Sequence, residues 1–232
     1  MKITYLGHSA FELAAAGHTV LIDPFLTGNP AAASVAADHR PDAILLTHGH
    51  MDHLGDTVEI AQRAGIPVVA LTELAGELKD AGLQDVYDPN IGGTVDLGFL
   101  SVRLTPAVHS SRTPAGTVTN AAGLVVKMDG TVVYHLGDTA LTHDLSLAAE
   151  RDKIDVALMC IGGHYTMDRH DAVAASRMVK ADVIIPCHYD TFPPVETDVA
   201  AFAADVEASG YGRVAAIKPG ESLETKAVGS IA

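Results

Sequence analysis

The segment Thr47-His48-Gly49-His50-Met51-Asp52-His53 places four side chains of metal-ligand type within six positions. Imidazole and carboxylate together suit Zn, Mn, Fe or Ni. In extended backbone His48 and His50 face the same side. Asp52 and His53 then turn toward a neighbouring point, so the loop can serve one ion with its first pair and a second with the other. A chance polar loop is the competing explanation, but three histidines in six positions are rare at ordinary residue usage. Three further groups follow apolar runs: His109 after Ser101–Ala107, Asp138 after Thr131–Leu136, and His188 after Val183–Cys187. Alone, each reads as a surface or capping residue. With the loop they complete a set of seven ligands, enough for two ions.

Strands must deliver these groups. Short β-rich runs open the chain at Ile3–Leu6, Phe11–Leu13 and Thr19–Ile22, with Ala14–Ala16 and Gly17 at a hairpin. Ala43–Thr47 is continuously apolar up to its last residue, the pattern of a strand buried on both faces. A helix is expected to follow, opened by an Asp56/Glu59 capping box and stopped by Gly65-Ile66-Pro67. Val68–Leu71 reads as a strand, and Thr72 as the cap of a second helix carrying Leu74 and Leu78 and ended by Gly82. Thr94–Leu97, Ser101–Thr105, Ala121–Met128 and Thr131–Leu136 read as strands, the last two joined by the hairpin signal Asp129-Gly130. Strand and helix then alternate: Asp155–Ile161, a helix from Asp168 to about Val179, Val183–Cys187, a helix with Val199, Phe202 and Val206 on one face, and Arg213–Ile217. Asp42 and Asp182 each precede a five-residue run and then a histidine, His48 or His188. This echo suggests two βα-containing halves, each offering ligands beyond strand ends. No linker divides residues 1–232, which read as a single α/β domain.

The order His-x-His-x-Asp-His, then His, Asp and His, resembles the metallo-β-lactamase superfamily over nearly the whole chain. Finer motifs run from Tyr5-Leu6-Gly7-His8-Ser9-Ala10-Phe11 through Leu21–Phe25, Asn90–Thr94, Pro106–Ser111, Gly137–Ala140 and Ile161–His164 to His188–Pro193. They are similar to a bacterial and archaeal family of metal-dependent hydrolases, which resembles the ascorbate-6-phosphate lactonase branch. Through Gly7-His8 they also resemble the N-acyl phosphatidylethanolamine phospholipase D branch. The resemblance implies a four-layer αββα sandwich, two mixed sheets flanked by helices. It implies His48, His50 and His109 on one divalent ion, Asp52, His53 and His188 on a second, and Asp138 between them. Zinc is the expected metal, with Mn, Ni or Fe as alternatives. A metal-bridging hydroxide would attack a small ester, lactone, amide or phosphate ester, with Asp52 orienting it or taking its proton. Asp23 would anchor the ligand loop; its bland alternative is a turn aspartate before Pro24. His8 is expected to act as an acid or substrate contact, against a buried imidazole bonded to backbone. His164, after two glycines, is a candidate acid for the leaving group. Tyr165 and Tyr189 are weaker substrate contacts. A homo-oligomer is expected only by analogy with the lactonase-like branch.

The composition agrees with a small-molecule enzyme. The 232 residues carry 15 basic and 29 acidic side chains, a net charge of −14, against a nucleic-acid backbone as partner. The apolar runs are strand-length, far short of the roughly 18 residues of a membrane span. The start lacks an apolar signal segment, and Cys160 and Cys187 sit in apolar strands, so a cytoplasmic protein with reduced thiols is expected. A mononuclear iron dioxygenase acting on a persulfide, which shares this loop, is the alternative from another enzyme class. A phosphodiesterase or phospholipase D-like enzyme is the alternative hydrolase.

Overall fold

A computed structural model describes residues 1–225. In chain order the first half holds β1 (Lys2–Gly7), β2 (Ala10–Ala15), β3 (His18–Ile22), β4 (Ala43–Leu45), α1 (Met51–Leu54), α2 (Thr57–Ala64), β5 (Val68–Val69), α3 (Thr72–Asp80) and β6 (Val86–Tyr87). The second holds β7 (Thr94–Asp96), β8 (Leu100–Arg112), β9 (Val118–Met128), β10 (Thr131–His135), α4 (Ser146–Arg151), β11 (Val156–Cys160), α5 (Arg169–Val179), β12 (Val183–Cys187), α6 (Val199–Ser209) and β13 (Arg213–Val214). Strand β14 (Ser222–Glu224) then returns to pair with β1.

Two seven-stranded mixed sheets result, ordered β14-β1-β2-β3-β4-β5-β6 and β13-β12-β11-β10-β9-β8-β7. Period-two alternation puts Val20, Ile22 and Leu45 between the sheets with Leu104, Leu124 and Leu158. The intervening Leu21, Ile44 and Leu46 point outward into the layer with α2 and α3. Leu145, Ala172, Val179 and Phe202 cover the outer face of the second sheet. Both faces of each sheet are therefore buried, and the layers read αββα.

Each sheet combines an antiparallel meander with parallel strands: β1-β2-β3 then β4-β5-β6, and β8-β9-β10 then β11-β12-β13. Halves of like plan are present, but the sequence echo is offset by one strand. His48 ends the first parallel strand of its sheet, whereas His188 ends the second. Either strand is buried on both faces, so both carry the same apolar run.

Turn chemistry lies where expected. Asp129 and Gly130 both have positive φ (50° and 72°), as do Ala16 and Gly17, the geometry of a tight hairpin. Two caps differ. Asp56 occupies the N-cap of α2, but its carboxylate accepts from Leu26 N and Thr27 N at 3.1 and 2.8 Å. Glu59 pairs with Arg63 instead of closing a box. At α3 the N-cap is Leu71, and the Thr72 hydroxyl donates to Asp88 O at 3.1 Å. Long-range acceptors and donors outcompete the local caps. Strands β5 and β13 are also shorter than the apolar runs Val68–Leu71 and Arg213–Ile217. Among the described residues no helix is long and apolar enough to cross a membrane.

Asp152 fastens one edge. It accepts from Arg103 at 2.9 Å and from Lys127 on the neighbouring strand. Burial pushes its carboxyl up, but the two cations outweigh this and hold it below the usual range. Its stabilising effect is therefore present above the ordinary carboxylate pKa and lost as pH falls through the lowered one. Asp152→Ala should cost roughly 2 kcal/mol near neutrality, because Arg103 loses a charge-assisted bond while the half-exposed Lys127 contributes little. Urea midpoints at pH 7 and pH 3 test this: the gap between native and variant should narrow in acid.

Candidate metal centre

Asp23 follows β3 in a left-handed conformation (φ 45°) and is fully buried. Its Oδ1 accepts from Thr47 N at 2.8 Å, and its Oδ2 from Thr47 Oγ1 at 2.6 Å and His53 Nδ1 at 2.7 Å. The Thr47 hydroxyl, having donated to Asp23, accepts from His48 Nδ1 at 3.0 Å. Both imidazoles thereby donate from Nδ1 and turn Nε2 toward the other groups.

Other ring nitrogens and a carboxylate face these Nε2 atoms. His48 Nε2 lies 3.0 Å from His50 Nδ1, which lies 3.3 Å from His109 Nε2. Around Asp138 Oδ2 stand His188 Nε2 at 3.1, His53 Nε2 at 3.3, His109 Nε2 at 3.5 and His48 Nε2 at 4.0 Å. Buried Asp138 Oδ1, His53 Nε2 and His188 Nδ1 have no hydrogen-bond partner among the described residues. A ring nitrogen without a proton repels a carboxylate oxygen at these distances, so a proton or a metal cation must stand between them. Burial pushes His48, His50 and His109 down, toward the neutral form that ligates. Burial disfavours charge on His53 too, but Asp138 and Asp23 outweigh it and raise that group well above an ordinary histidine. Burial would raise Asp138, yet His188 and His53 hold it well below the carboxylate range. The donor set is thus able to hold a divalent metal ion. Three groupings have their ligand atoms mutually within 4.8 Å: His48, His50 and His109; His48, His53 and Asp138; and His8, Asp52, His53 and His188.

The backbone explains the convergence. His48 emerges from β4, while Asp52 and His53 share the single turn α1. His109 does not follow a strand end, as its apolar run suggests; it lies inside β8. Pro106 pairs with Ala122 and Ser110 with Asn120, four steps against two, so His109 sits in a bulge that re-aims it. His188 has φ 55° beyond β12. A Cβ on Gly162 would stand 2.1 Å from His188 O, so only glycine admits that turn. Thr47 O accepts from Ala122 N at 3.0 Å, joining the two sheets at the site.

Of the two further sequence candidates, His8 belongs to the grouping with Asp52, His53 and His188, whereas His164 stands apart. His8 is completely buried, with burial pushing its imidazole down to about 4 despite the Asp52 carboxylate beside it. It has no surface to offer a substrate. His164 is exposed, φ 55°, stacked edge-on against Tyr165 at 4.5 Å, and joins none of the ligand groupings. Tyr165 is 55% exposed and Tyr189 half-buried. Sequence reasoning passed over Thr47, Ser111, His135 and Thr191. Ser111 Oγ accepts from Gly49 N at 3.1 Å, and His135 bridges Ser9 O and Gly137 N at 3.1 and 2.9 Å. Only adjacency marks Thr47 and Thr191, one directly before His48 and the other three residues past His188.

The Beta-lactamase superfamily domain matches residues 2–188. A UPF0173 metal-dependent hydrolase of Archaeoglobus fulgidus is 46% identical, covering 97% of this chain and 99% of its own. Its counterpart in Methanopyrus kandleri is 43% identical, with 97% and 100% covered. Among solved structures, Igni18, a novel metallo hydrolase from the archaeon Ignicoccus hospitalis, superposes with TM-score 0.88 at 37% identity, covering 97% of this chain and 99% of that one.

Proposed function

The chain belongs to the beta-lactamase superfamily, among its metal-dependent hydrolases, and from that premise we propose that it hydrolyses a small ester, lactone, amide or phosphate ester with two divalent ions, zinc foremost. The observation that carries this reading is the position of Asp138. Its carboxylate stands between the set His48, His50 and His109 and the set Asp52, His53 and His188, with four ring nitrogens within 4.0 Å of one oxygen. A divalent cation bound there lowers the pKa of a water ligand from about 15.7 toward about 7 and polarises a carbonyl or phosphoryl oxygen.

The chain's own residues do the rest. Asp23 and Thr47 fix ring orientation. Asp52, one-third exposed, can accept the proton of the attacking water. His164, at the exposed strand end after Gly163, donates to the leaving group. His164→Ala should then slow substrates with poor leaving groups by about 10²–10⁴-fold and spare those with good ones. Equal losses across a leaving-group series would assign it to binding instead.

Elemental analysis of protein purified without chelator or added metal tests the whole reading, paired with ester, lactone and phosphodiester reporters. About two Zn, Mn or Ni per chain with metal-dependent cleavage is the expected result. About one Fe with no hydrolysis would move the assignment to the persulfide dioxygenase reaction, and no ion after reconstitution would remove it.

A further inference from the structure

We propose that His8 is a positioning residue for Asp52: it holds one carboxylate oxygen, from a ring itself held by Thr191, so that the other oxygen is left for the donor set with His53 and His188. The inference rests on the two-ion reading for its consequence, and on the contacts of His8 with Asp52 and Thr191 for the arrangement.

His8 Nε2 lies 3.1 Å from Asp52 Oδ2, and His8 Nδ1 lies 2.9 Å from Thr191 Oγ1. An ionised carboxylate only accepts, so Nε2–H donates to it. A neutral ring then has its lone pair on Nδ1, and the Thr191 hydroxyl, which also lies 3.3 Å from Tyr189 O, donates to the nearer Nδ1. Each partner's role follows from the other, and the tautomer is set. The His8 bond is the sole hydrogen bond of the Asp52 side chain among the described residues. Asp52 otherwise sits on a single helical turn with its carboxylate one-third open to solvent. Without His8, nothing polar would choose its rotamer.

The ring is in turn held by parts of the chain far away in sequence. It packs 4.1 Å from the His188 ring, with Phe25 and Phe192 edge-on at 5.9 and 5.6 Å. Its own carbonyl accepts from His188 N at 2.7 Å and from Tyr5 OH at 3.0 Å. Both His8 and His188 adopt left-handed backbone, φ 58° and 55°. A non-glycine residue persists there only where its surroundings over-determine it. Here each strained turn, one from each sheet, buttresses the other. Asp52 is therefore aimed by the docking of the two sheets, through His8, and not by its own helix.

The test uses the full chain and six variants. In metal-stripped protein, thermal midpoints of His8→Phe, Asp52→Asn and the double variant form a cycle. The double variant should lose less than the sum of the singles; strict additivity would overturn the contact. Co²⁺ titration followed by its visible absorption gives the second readout. His8→Phe should weaken one of two Co²⁺ equivalents by about 10–100-fold and leave the other unchanged. His8→Gln, which keeps an N–H donor at the Nε2 position, should restore near-native affinity. Native Co²⁺ affinities in His8→Phe, or no restoration by His8→Gln, would overturn the proposal. Should His8→Phe not fold, Thr191→Val against Thr191→Ser decides it: the first is expected to weaken that same equivalent and the second to preserve it. If the native chain binds fewer than two equivalents, the two-ion reading fails, while the metal-free cycle still decides the His8–Asp52 contact.

Discussion

Asp138→Ala is expected to yield a folded chain that no longer holds two ions. The carboxylate is buried and its near neighbours are imidazoles, with Oδ1 making no hydrogen bond. Among the described residues no backbone amide donates to it, so its removal leaves the backbone hydrogen bonds intact. In metal-free protein the variant should stay folded: it loses the pairing with His188 and His53 that holds the carboxyl well below its usual range, and with it the desolvation cost of a buried charge. The site fares differently. The two donor sets lose the one carboxylate that faces both, and turnover should fall by at least roughly 10²–10³-fold, the scale for loss of one preorganised electrostatic group. Ion content by elemental analysis, the thermal midpoint of apo protein and reporter cleavage measure all three effects. Two ions per chain with native turnover would defeat the assignment of Asp138.

Asp23→Ala should behave in the opposite way. This aspartate lies after a meander strand of the other sheet, as Asp138 does in its own, yet it accepts from a backbone amide, a hydroxyl and an imidazole, all buried. Truncation leaves Thr47 N–H and His53 Nδ1–H without acceptors in a place water does not reach. We expect a loss of about 3–5 kcal/mol, the range for breaking a buried charge network by removing one partner. Metal affinity should drop about 10–100-fold as well, because His53 and His48 lose the group that sets their tautomers. Asp23→Asn sharpens the point: an amide can replace one acceptor but presents an N–H toward the others. Denaturant midpoints of the metal-free variants, with competition titration of the ion, separate this from Asp138→Ala. A native denaturation midpoint for Asp23→Ala would rule out the anchoring role.

The contrast between these two aspartates shows where sequence reading ends. Both stand shortly after an apolar strand and read alike in one dimension. The seven ligand candidates, the strands that precede them and the hairpins at Ala16-Gly17 and Asp129-Gly130 are legible because their signals are local. Alternation of side chains, continuous apolar runs and the φ demands of a turn are set within a few residues. The family resemblance rests on the same short motifs.

What stayed illegible depends on register and on the approach of distant segments. The bulge that places His109 arises from pairing β8 against β9, and no residue type announces it. Asp56 satisfies the helix-cap pattern, but its carboxylate serves Leu26 and Thr27 because the chain brings their amides within 3.1 Å. His8 reads as a group ready to meet substrate, and the structure buries it beside Asp52. Its two side-chain partners lie 44 and 183 residues away. Candidate ligand types and most of the strands leading to them are readable locally, since they follow from residue chemistry and short-range periodicity. Which candidates converge, which neighbours hold them and which face outward follow from contacts formed when two sheets close on one another, and no local pattern carries those.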